Sequence, residues 1–167
     1  MFEMIALAAY AGLILFAACS DASRLIIPNW VSIALAAIFP VAALIGSAPL
    51  AEIGLHFVFG FGVLALGFVL FQFNIIGGGD AKLLAAVSIW TGVTAFMPFI
   101  LWTAIAGGVM ALTLLTARQL IPAGTYPAFV DHLLKKQNGI PYGVAIMVGA
   151  LMAIPSLPYL SSPLTLP

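Results

Sequence analysis

Charge is nearly absent from this sequence. Of its 167 residues, five are Lys or Arg and five are Asp or Glu, 6% in all. An ordinary soluble domain is nearer a quarter charged. With 64% hydrophobic residues and a mean hydropathy of +1.24, there is too little polar surface to coat a water-soluble globule. A soluble enzyme is thereby excluded, and an integral membrane protein is expected. Cysteine is almost missing too. Cys19 is the single one, which excludes a disulfide within the chain and a multi-cysteine zinc site. It reads as a small buried helix residue. The two histidines, His56 and His132, are distant in sequence and offer no Ser–His or Cys–His pairing. No metal, no cofactor and no nucleic-acid partner is expected.

What is present is a succession of apolar runs, each near the 20 or so residues that a spanning helix needs. Spans are expected at about 4–20, 29–45, 53–73, 81–92, 97–117 and 140–154. The first is preceded by Glu3 rather than by basic residues, so it reads as a retained span and not a signal peptide. Pro28 suits the first turn of the second span, and Pro40 is a candidate kink. The uncharged run 83–117 is too long for one span and divides at 91–98, around Gly92 and Pro98. Residues 118–139 form the one long polar connection, with a short interfacial helix expected at 129–136. The whole chain, 1–167, reads as one polytopic all-α membrane domain of six transmembrane helices.

The basic residues orient it. On this topology Arg24, Lys82, Arg118, Lys135 and Lys136 fall on one side, and Glu3 and Glu52 on the other. Positive residues mark the cytoplasmic side, so both termini are expected outside the cytoplasm. Lys135 and Lys136 suit anionic lipid.

Two carboxylates then stand out at the same cytoplasmic boundary. Asp21 ends the first span, and Asp80 follows three glycines, Gly77, Gly78 and Gly79, at the start of the fourth. Ionisable groups at the bilayer are costly and tend to be functional. One reading makes them boundary charges, paired with Arg24 and Lys82. The other makes them an aspartic dyad, sharing a proton because both cannot ionise easily. The dipole at the start of a helix favours charge on Asp80, and Lys82 is near, so Asp80 is expected to be the ionised member. A third reading, a small proton-coupled transporter or channel, uses the same carboxylates as relay groups. A purely structural assembly subunit would need neither.

Three motifs resemble a known family. Gly77-Gly78-Gly79-Asp80-Ala81-Lys82 resembles the GxGD motif of membrane aspartic peptidases. Asp21 followed by Ile27-Pro28-Asn29 resembles the first-aspartate motif of prepilin peptidases, and Pro141-Tyr142-Gly143 the opening of the last span in their short CpaA/TadV-type members. The resemblance covers residues 21 to about 149. It implies an aspartic endopeptidase of the bacterial inner membrane, with Asp21 and Asp80 as the catalytic pair. Its substrate would be a Flp-type prepilin, a basic leader followed by an apolar helix, cut at the cytoplasmic face. Such proteins often carry a basic residue two after the first aspartate. Here that position is Ser23, and Arg24 is expected to serve instead. The larger relatives' tetra-cysteine segment is missing, so N-methylation of the product is not expected.

Other residues keep two readings each. Gly77 and Gly79 either admit a substrate backbone or make a tight turn. Lys82 tunes Asp80 or marks topology. Asn29 caps the second span or bonds into the site. Pro141, Tyr142 and Gly143 line the site, with Tyr142 as a donor, or Tyr142 anchors the interface. Nothing in the sequence fixes the oligomeric state.

Overall fold

The computed structural model describes residues 2–120, 133 and 139–159. Among them the chain is all-helical, with no strand. The helices are α1 (Phe2–Arg24), α2 (Asn29–Ile45), α3 (Leu50–Gln72), α4 (Gly78–Thr91), α5 (Phe96–Leu120) and α6 (Tyr142–Met152), followed by a 3-10 turn, Ile154–Ser156. α1, α3 and α5 are long and apolar enough to cross a membrane, and α2 and α6 are apolar but shorter. The helix expected at 129–136 lies outside the described residues, as do Asp131, His132, Lys135 and Lys136.

Local chemistry sets the helix ends. Pro28 and Pro49 stand at the N-caps of α2 and α3 in extended backbone, φ −63° and −61°. α2 runs on through Pro40. α4 stops at Gly92, whose φ of +54° suits glycine, and α5 resumes at Phe96. That turn divides the long uncharged run.

α4 is the centre of the molecule. It packs on α2, α3, α5 and α6, while α1 lies against α2 and α6. From Leu83 to Thr91 every α4 residue except Leu84 is buried. Its far end is fastened by polar groups. The Trp90 indole N–H donates to the Leu35 carbonyl at 2.9 Å, and the Trp90 ring lies 4.7 Å from that of Tyr10. The His56 Nδ1 meets the Ile89 carbonyl at 2.6 Å, and since a carbonyl only accepts, Nδ1 carries the proton. His56 is thus a strut at the end of α4 opposite Asp80.

Helices gain no hydrophobic driving force from meeting in lipid, and they associate through close packing at small residues. For the same reason an apolar run does not report burial. Cys19, expected to be buried, is exposed on α1. The α5–α6 contact turns on Gly149, where a Cβ would stand 2.6 Å from the Phe99 carbonyl oxygen and 2.8 Å from the Thr103 nitrogen. Backbone cannot yield as a flexible side chain does. Gly149→Ala is therefore expected to destabilise the fold by about 1–3 kcal/mol, the usual cost of overpacking. Gly108→Ala, with nothing within 4 Å of the new carbon, should not. Thermal unfolding in detergent checks both.

Candidate active site

The loop between α1 and α2 and the glycine turn before α4 fold against each other. A Cβ on Gly79 would lie 3.2 Å from the Ile27 Cβ, so glycine lets the two segments touch. Leu25 takes a left-handed φ of 54°, and the Ser20 hydroxyl donates to the Ile26 carbonyl at 2.7 Å, bending the first loop inward. Between the segments lies a cavity of about 240 Å³. Asp21, Asp80, the three glycines and Asn29 line it, with Leu25, Ile26 and Ile27 as an apolar wall. The volume is ample for several waters, at about 30 Å³ each in the liquid.

Each carboxylate is held by a backbone amide. Asp21 lies in the last turn of α1, and its Oδ2 accepts from the Gly143 N–H at 2.6 Å. That amide belongs to the first turn of α6, so α6 aims its N-terminal end at Asp21. Asp80 sits in the first turn of α4, and its Oδ2 accepts from the Gly77 N–H at 3.3 Å, capping its own helix. Burial pushes the Asp80 carboxyl up to about 6, the negative charge of Asp21 adds to the rise, and the Gly77 amide opposes it. The helix dipole and Lys82, expected to favour charge on Asp80, do not outweigh burial there.

Several supporting residues stand elsewhere than the sequence suggests. The Lys82 ammonium donates to the Asn29 Oδ1 at 2.9 Å, rather than pairing with Asp80. Arg24 is exposed at the end of α1 and does not line the cavity, and the Ser23 hydroxyl bonds back to the Cys19 carbonyl at 2.7 Å. Neither brings a basic or polar group to Asp21. Tyr142 does not line the cavity either. It is 40% exposed, and its ring lies against Gly107 of α5. Pro141 is buried at the N-cap of α6. In that tripeptide Gly143 reaches the carboxylate, through its main chain. Arg118 donates to the carbonyls of Leu133 and Gly139 at 2.8 Å and 3.0 Å, tying the end of α5 to the start of α6.

The sequence pattern of the type IV leader peptidase family matches residues 8–112. The chain belongs to that family. This leader peptidase is accordingly a protease with a general role on prepilin-type leaders. The match includes Asp21, Asp80 and the wall between them, and it ends within α5, before the α6 glycine that holds Asp21. No curated protein and no solved structure matches the chain significantly. The transporter reading gains nothing from the family.

Proposed function

We propose that this leader peptidase is a GxGD-type aspartic endopeptidase that removes the leader from Flp-type prepilins. Asp21 and Asp80 are its catalytic pair. The observation that carries the reading is the single cavity lined by both carboxylates, within a leader peptidase family chain. One carboxylate accepts a proton from water as the water oxygen attacks the scissile carbonyl. The other, protonated, donates to that carbonyl oxygen. Collapse of the tetrahedral intermediate breaks the C–N bond and delivers a proton to the leaving amine. The scheme needs one proton on the pair.

The chain is a single domain of six spans in the bacterial inner membrane, with termini outside and the aspartates toward the cytoplasm. Arg24, Lys82 and Arg118 all lie at the aspartate end of their helices, and Glu52 at the opposite end, which supports that orientation. N-methylation is not part of the activity.

The test is co-expression with a Flp-type prepilin and mass measurement of the product. One cut after the leader's final glycine is expected, and an uncut prepilin would overturn the reading. The pH dependence follows from Asp80. Its raised carboxyl loses its proton as pH rises through about 6, leaving two anions and no acid. The kcat of the purified enzyme should fall along that limb, and a kcat still rising well above that pH would contradict the scheme.

A further inference from the structure

α2 and α3 both pack on α4 and meet each other through Phe39, whose ring stacks on His56 and meets Phe57 edge-on. A groove of about 480 Å³ lies between them. Ala36 and Ala86 add little bulk to its lining, and Gly60 brings α3 close to α4, where a Cβ would stand 3.2 Å from the Ala85 carbonyl oxygen. It runs along residues 29–36 of α2, 57–64 of α3 and 82–89 of α4, about two helical turns or ~10 Å.

One end of the groove is polar. Lys82 and Asn29, hydrogen-bonded at 2.9 Å, both line it, and Asn29 also lines the aspartate cavity. The pair is a threshold between groove and cavity. One turn further along α2, the Ser32 oxygen faces no partner. Among the described residues it is the one buried side-chain polar atom without a hydrogen bond.

We propose that this groove seats the first turns of the apolar helix that follows the leader in the substrate. The scissile junction then crosses the Asn29–Lys82 threshold to the aspartates. The inference rests on the peptidase reading and names the surface that reading needs. The groove suits an apolar occupant, and the Asn29 oxygen at its polar end offers an acceptor. The first four N–H groups of a helix have no partner within it, and in lipid they must find acceptors. The Asn29 oxygen supplies one where the leader leaves the helix. A lipid tail would fill the apolar part but would bring no N–H groups and nothing to carry across the threshold.

The test fills the groove. Ala36→Phe projects a ring into it, while Ala37→Phe places the same ring on the exposed face of α2. At equal membrane levels, Ala36→Phe is expected to slow cleavage of a co-expressed full-length prepilin at least tenfold, and Ala37→Phe to leave it unchanged. Equal cleavage by all three proteins overturns the groove and leaves the peptidase reading standing. No cleavage by the unaltered enzyme breaks that reading itself. A photoreactive residue at Ile33, in the groove, keeps the test independent of folding in Ala36→Phe. It should yield an adduct with the prepilin, and adducts only with lipid or with a second copy of this chain would refute the proposal.

Discussion

Asp80→Asn is expected to abolish prepilin cleavage while making the folded enzyme more stable at neutral pH. Asparagine keeps the size of the side chain and an oxygen for the Gly77 N–H, but neither takes nor gives the proton. Positioned acid–base groups contribute about 10²–10⁴-fold each, so the loss should be at least of that order. The stability gain follows from the carboxyl's raised position. A carboxyl that titrates near 6 when folded, against 3.8 ordinarily, binds its proton more tightly in the folded state. Its contribution to stability is complete below the ordinary value and is lost as pH rises through about 6. Asparagine carries no such loss, a gain of about 1–3 kcal/mol above that pH. Thermal unfolding should show no advantage for the variant below 3.8, an advantage that grows as pH rises from there, and its full size above about 6. Asp21→Asn should abolish cleavage equally. A variant that still matures prepilin at the parent rate would remove its aspartate from the mechanism.

Gly143→Ala should be nearly as damaging to activity, although the residue takes no part in proton transfer. A Cβ there would stand 2.9 Å from both the Cβ and Oδ2 of Asp21, and 3.1 Å from its Cγ. Asp21 must swing away, and its bond to the Gly143 amide goes with the movement. Displacement of a reacting group by about 1 Å costs on the order of 10²-fold. That loss should fall on kcat, with KM little changed, because substrate contacts lie elsewhere. Helix propensity favours alanine over glycine by about 1 kcal/mol, so the helix itself is not weakened. Gly139→Ala, with open space around the new carbon, is the control. A kcat equal to the parent's in Gly143→Ala would show that the amide does not position Asp21.

The helices were legible in the sequence because their punctuation is local. Pro28, Gly92 and the three glycines before Asp80 act through their own backbone, and no distant partner is needed to read them. The two acids were legible because an ionised group beside lipid is costly wherever it falls. What held them was legible only in part, since the Pro141-Tyr142-Gly143 motif pointed to the site but not to the contact. The Gly143 amide has no side chain to advertise it, and it lies 122 residues from Asp21. The Lys82–Asn29 bond likewise joins positions 53 apart, whereas proximity along the chain pointed Lys82 at Asp80. Arg24 stands away from the cavity for a similar reason, since nearness in sequence does not say which face of a helix end a side chain leaves from. Cys19 shows the remaining blind spot. In lipid, apolar residues face outward as readily as inward, and periodicity loses its grip on burial.

A titration of Asp80 in the Asp21→Asn protein tests most directly whether the two acids form one unit. Isotope-labelled aspartate carboxyl bands, followed by infrared spectroscopy, would report it. With Asp21 present, Asp80 should titrate near 6, and with its charge removed the midpoint should move down toward the ordinary carboxylate range. A midpoint that stays where it was would mean that the two groups do not sense each other, and a shared water between them would be untenable.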